Sequence, residues 1–127
     1  MKLLTTILFA VTATFGFGQT WSDDVASIVY NKCAKCHHDG GIAPTSLMSY
    51  AEVSPMAGAM YDAIITEEMP PWPPNDNYQE YSHKRSLSET EKTTMLAWLD
   101  NGYPEGNSAN TPPPPVFNPG SLLGNGD

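Results

Sequence analysis

Cys33-Ala34-Lys35-Cys36-His37 constrains this chain more than any other stretch. Residues at i, i+3 and i+4 share one face of a helix, so Cys33, Cys36 and His37 are set to meet one flat ligand. C-x-x-C followed directly by His is the attachment sequence of a c-type haem. The two sulfurs then form thioethers with the vinyl groups of the porphyrin, and the His37 imidazole reaches the iron as its proximal ligand. One covalent haem c is the resulting expectation.

Three other chemistries use some of the same residues. A structural disulfide between Cys33 and Cys36 suits an exported protein, but leaves the adjacent His unexplained. A thioredoxin-like dithiol sits near a βαβ pattern, whereas the flanking segments here read as helix and loop. A zinc site needs four good ligands, and beyond the motif the chain has no other Cys and only His38 and His83.

The amino terminus points to export, which covalent haem attachment requires in bacteria. Lys2 precedes an apolar run from Leu3 to Phe17, and Gly16 and Gly18 flank Phe17; this is a signal-peptide pattern. The run is short for a membrane span and no basic stop-transfer segment follows, so residues 1–18 are expected to be removed. The protein is then periplasmic or otherwise exported, with membrane attachment only if the signal stays uncleaved.

At 127 residues, less a leader, the chain has room for one small domain with a marginal core of its own. A buried porphyrin would act as the staple that small scaffolds need, so the fold is expected to depend on the cofactor. The formal charge of −8 repels phosphate backbones and excludes nucleic acid as a partner. It favours redox partner proteins with a basic docking patch, over distances that salt limits to about 8 Å; it also serves simply to keep an exported protein soluble.

Four helical segments are predicted. Ser22 is the expected N-cap of the first, with Asp23 and Asp24 in its first turn and Val25, Ile28, Val29 and Lys32 at helical spacing. It delivers the attachment motif, and Asp39-Gly40-Gly41-Ile42-Ala43-Pro44 then ends helical geometry. A short helix is expected from Leu47 to Val53. Ser54-Pro55 reads as a restart, with Ala57, Met60, Tyr61, Ile64 and Ile65 at helical spacing, and must stop before Pro70-Pro71. The last helix opens on a Ser88/Glu91 capping box, carries Met95, Leu96, Trp98 and Leu99, and closes at Gly102. No strand alternation or internal repeat appears. Leu47, Ile64, Ile65, Leu96, Trp98 and Leu99 are expected around the porphyrin or just behind it.

Met69-Pro70-Pro71-Trp72-Pro73-Pro74 is the second informative stretch. A thioether on the open face of a His-ligated haem iron raises its potential, and Met69 is the expected sixth ligand. The prolines after it stiffen the backbone and remove competing amide donors, and Trp72 is placed to cover the haem edge. Met60 and Met95 read as core filler, while Met48 and Met56 lie close to the motif or to a helix start. His38 adjoins the proximal ligand and does not easily cross to the opposite haem face; His83 reaches it only if its polar loop folds over. Both read as solvated surface histidines.

Together these residues resemble class I c-type cytochromes over most of the mature chain. The shared features are the motif at the end of the first helix, a Gly-rich loop with a Pro, a Met-Pro distal loop and a C-terminal helix with aromatic and aliphatic residues. The resemblance implies an all-α fold: a small cytochrome c-like bundle of about four short helices around the haem, spanning 19–107. It also implies that the Pro44 carbonyl accepts the hydrogen bond of the His37 imidazole, which fixes the ring and increases its basicity. A narrower set, Cys36 to Pro44, Leu47, Tyr50, Met69 to Trp72 and Trp98 to Gly102, looks like the haem module found ahead of redoxin-like or copper monooxygenase-like domains in some bacterial multidomain proteins. Residues 108–127 form a Pro-rich tail or linker, and Pro112 to Asp127 is similar to the connector after that module.

Iron held by both His37 and Met69 has six ligands and changes oxidation state with little rearrangement, which favours a monohaem electron carrier over an enzyme. The competing class is a haem enzyme, peroxidase-like or gas-binding, whose distal ligand is displaceable. No distal His and Arg pair is evident near Met69, so no catalytic residues are expected. A non-haem binding module would follow only without the cofactor.

Overall fold

A computed structural model describes residues 18–71 and 85–117. These residues are helical and contain no β-strand, as the spacing of their apolar side chains predicts. The leader pattern up to Phe17, Trp72, His83 and residues 118–127 lie outside the described residues.

The first helix opens two residues earlier than the sequence suggests. Thr20 is its cap: the hydroxyl accepts from the Asp23 N–H at 3.2 Å, and the Thr20 N–H donates to the Asp24 carboxylate at 2.8 Å. Ser22, the expected cap, is buried, and its N–H and hydroxyl both donate to the Glu105 carbonyl, at 2.9 and 2.8 Å. A cap side chain must be free to turn back on its own helix, and that of Ser22 is engaged across the molecule. A wide turn, Trp21–Val25, then passes into α1, Ala26–Lys32.

The second segment is shorter than expected. Leu47 belongs to the preceding loop, where its N–H donates to the His37 carbonyl at 3.0 Å, and α2 covers Tyr50–Val53 with Ser49 as its cap. The Glu52 carboxylate reaches back to the Met48 N–H and the Ser49 hydroxyl, both at 2.9 Å. Ser54 keeps helical dihedrals instead of starting afresh, so Ser54–Met56 is a tight turn, with Pro55 in it, that leads into α3, Ala57–Ile65. Pro55 stands near the start of that tight turn, where its missing N–H is tolerated.

The last helix, α4, Glu89–Asp100, has the full capping box. The Glu91 N–H donates to the Ser88 hydroxyl at 3.2 Å and the Ser88 N–H to the Glu91 carboxylate at 2.7 Å. Gly102, at φ +82°, reverses the chain after the helix, a conformation that glycine adopts without a Cβ penalty.

The core joins these elements around Trp21, Val25, Val29, Val53, Met95 and Trp98, all at most 1% exposed. The Trp21 and Trp98 rings lie 6.1 Å apart, and the Pro104 carbonyl accepts from both the Trp21 N–H and the Trp98 indole N–H at 2.9 Å. Beyond this junction the Pro-rich segment stays on the domain: the Thr111 hydroxyl donates to the Ser22 hydroxyl at 2.9 Å, and the Phe117 ring stacks on His38 at 3.9 Å.

The capping box generates a test. Burial works to raise the Glu91 carboxyl, but the Ser88 N–H and hydroxyl and the Lys32 ammonium outweigh it and hold the group below the usual carboxylate range. Its stabilisation is therefore complete above the unfolded value of about 4.3 and is lost as pH falls through the lower folded value. Ser88→Ala should cost about 1 kcal/mol at neutral pH in denaturant unfolding, with a shallower loss of stability on acidification than the wild type shows.

Candidate functional site

One cavity of about 250 Å³ collects the residues of both informative stretches: Cys33, Cys36, His37 and Met69 all line it. Its walls are otherwise mainly apolar, with Leu47 and Ile64 among them. Helix α1 ends one residue before Cys33, and its hydrogen bonding continues into the motif: the Cys33 N–H donates to Val29 at 2.8 Å and the His37 N–H to the Cys33 carbonyl at 3.0 Å. These short-range bonds put both sulfurs and the imidazole on one side, as i, i+3 and i+4 spacing requires.

The loop after the motif closes on it. The Ala43 N–H donates to the Cys36 carbonyl at 3.0 Å and the Gly41 N–H to the His38 carbonyl at 2.8 Å. A Cβ at Gly41 would collide with the backbone carbonyls of Cys36 and His38, so the close approach demands glycine. This ring carries Thr45 to the imidazole: His37 Nδ1 lies 2.9 Å from the Thr45 carbonyl. A carbonyl only accepts, so Nδ1 carries the hydrogen and, in the neutral ring, Nε2 presents its lone pair as a metal ligand does. The acceptor expected from the family resemblance was Pro44; that residue is exposed, and the loop contributes the next carbonyl instead.

Met69 reaches the cavity because the chain folds back after α3. Glu67 adopts φ +60°, and the Met69 N–H donates to the Ala63 carbonyl at 3.1 Å. Met56, Met60 and Met95 line the same cavity, an arrangement hidden from a sequence reading that treats two of them as core filler. Ile65 does not join them; it is 47% exposed, while Trp98 and Leu99 pack in the core without lining the cavity. His38 is half-buried, its Nδ1 2.8 Å from the Ala34 carbonyl and its ring against Phe117, instead of solvated.

Two cations were also invisible as site residues. Lys32 and Arg85 line the cavity; Lys32 pairs with Glu91 at 3.4 Å, and Arg85 Nη1 donates to Cys36 Sγ at 3.3 Å. Both owe their place to contacts spanning more than forty residues of chain, for which no local pattern exists.

The surroundings weigh against the rival chemistries. Burial, followed by Cys36 and Glu91, pushes the Cys33 thiol up to about 12 against the opposing pull of Lys32, whereas a reactive dithiol needs a depressed value. Both cysteines are free thiols. Among the described residues no group of three or more His, Cys, Asp or Glu side chains is placed to hold a metal ion. A flat, mainly apolar group bound through both sulfurs fits better. It would also cover Ile42, Met56 and Met69, which line the cavity yet are 82%, 36% and 44% exposed.

No protein-family model, curated protein or solved structure matches the chain.

The closed loop makes Gly41 a sensitive position. Gly41→Ala should destabilise the protein by roughly 1–3 kcal/mol, read from denaturant unfolding, and should speed hydrogen exchange at the Ala43 and Leu47 amides more than at α4. Equal exchange rates throughout would show that the loop absorbs the methyl group.

Proposed function

We propose that this chain is an exported, single-haem c-type cytochrome domain, with a cytochrome c-like all-α fold, that carries single electrons between redox proteins. The observation that carries the proposal is the convergence of Cys33, Cys36, His37 and Met69 on one mainly apolar cavity. When bound, a haem supplies an iron that takes up and releases one electron.

The residues of the chain have separable roles in this proposal. Cys33 and Cys36 would hold the haem as thioethers, each S–H adding across one vinyl group, sulfur to one carbon and hydrogen to the other, so that nothing leaves. His37 would bind the iron through Nε2, while the Thr45 carbonyl fixes the ring through Nδ1. Met69, in the turn after α3, would offer its thioether, and Leu47 and Ile64 would keep water from the bound group. The leader pattern at 1–18 supports export, and the formal charge of −8 favours partners with a basic docking patch. Among the described residues no helix is long and apolar enough to cross a membrane.

The 44% exposure of Met69 favours one alternative: a haem enzyme whose distal ligand is displaceable. An absorption spectrum of the matured protein separates the two. The electron carrier predicts a low-spin spectrum with the weak sulfur-to-iron band in the oxidised form, unaltered by carbon monoxide after reduction; the enzyme predicts ready ligand binding.

Intact mass should exceed that of the mature polypeptide by one haem in cells that mature another c-type cytochrome; recovery of unmodified chain alone would sink the proposal. Met69→Ala should leave the haem attached, abolish the sulfur-to-iron band and lower the potential, an outcome that loss of the band in Met60→Ala or Met95→Ala instead would contradict. Replacing both Cys33 and Cys36 with Ala should strip hydrogen-exchange protection chiefly from α3 and residues 39–47, which wall the cavity, because the Trp21–Trp98 junction does not touch it. Protection near wild type throughout would mean that the polypeptide core suffices without haem.

A further inference from the structure

We propose that Arg85 sets the reduction potential of this site by holding a permanent positive charge beside the attached cofactor; this rests on the haem-binding reading above. Arg85 stands just before α4, yet its guanidinium crosses to the motif and donates from Nη1 to Cys36 Sγ at 3.3 Å. It lines the cavity that contains His37 and Met69, so its charge is fixed near any group bound through Cys36.

The other cation of the cavity does not supply the same field. Lys32 is paired with Glu91 at 3.4 Å and donates to the Ser86 carbonyl at 3.1 Å. Lys92, nearby on α4, is paired with Glu67 at 3.1 Å. Among the described residues no carboxylate pairs with Arg85. A sulfur is a weak acceptor and carries no full negative charge once alkylated, so the guanidinium charge stays uncompensated by it. Reduction adds one electron to the site, and a nearby cation favours that form.

The magnitude follows from Coulomb attraction at short range, reduced because Arg85 is exposed. Removing the charge should lower the ratio of reduced to oxidised protein at fixed poise by about fivefold, on the order of 40 mV at 59 mV per tenfold for one electron.

The test is a spectroelectrochemical titration of haem-loaded wild type, Arg85→Gln and Arg85→Lys, each first shown by intact mass to carry one haem and by absorption to keep the same ligand bands. Arg85→Gln should fall by that amount and Arg85→Lys should stay within about a factor of two of wild type. The difference should shrink in 1 M salt, where the Debye length is about 3 Å. An unchanged potential in Arg85→Gln would overturn the proposal, as would an equal fall in Arg85→Lys, which would point to the shape of the guanidinium instead of its charge. Failure of the wild-type chain to acquire haem would overturn the underlying functional reading, and is recognised separately by mass.

Discussion

The carbonyl of Pro104 is the point on which the packing of this domain turns. It accepts two hydrogen bonds at 2.9 Å, from the backbone N–H of Trp21 and the indole N–H of Trp98, and so uses both of its lone pairs. The rings of those two residues are buried against each other, with half-buried Tyr30 beside Trp21 and exposed Tyr103 beside Trp98, at centroid distances of 5.8 to 6.2 Å. An indole N–H left without a partner in such a place would cost about 1–3 kcal/mol, so the junction specifies one arrangement of the start of the first helix against the end of the last. Once that is set, α1 has a single direction and its far end has a single place to deliver Cys33 to His37.

The site is then built from both ends of that scaffold. Helix α1 presents two sulfurs and an imidazole, and the loop 39–47 returns over them through main-chain bonds to Cys36, His37 and His38. Helices α3 and α4 supply the opposite walls with Met60, Ile64 and Met95. The result is an apolar hollow with its polar groups concentrated around the motif: a thiol pair, an imidazole whose tautomer is fixed, and two cations. Such a distribution is suited to a large flat cofactor, and poorly suited to a thiol nucleophile, since burial raises the Cys33 thiol to about 12.

The segment after α4 contributes more than a linker would. Gly102, Tyr103 and Gly106 all take positive φ, at 82°, 45° and 79°, which folds the chain back on the start of the first helix. Thr111 on Ser22 and Phe117 on His38 then tie it to the first turn of that helix and to the residue that follows the motif.

What the sequence by itself determined are the features carried by residues at most a few positions apart. The attachment motif, the Ser88/Glu91 box, the turn at Gly102 and the helical character of the chain are legible because a cap or a shared helix face depends on spacings of three or four. Only the tertiary structure decided the rest. Ser22, bonded to Glu105, left the capping role to Thr20, and Thr45 took the bond expected of Pro44. Met56, Met60 and Met95 were turned toward the cavity while Ile65 was turned to solvent, and Arg85 was brought to Cys36 across 49 positions. In each case the deciding partner lies in another element, or the loop closes by a single residue's difference in register. Burial and hydrogen-bond satisfaction across the whole domain select such contacts, and no local pattern of residues encodes them.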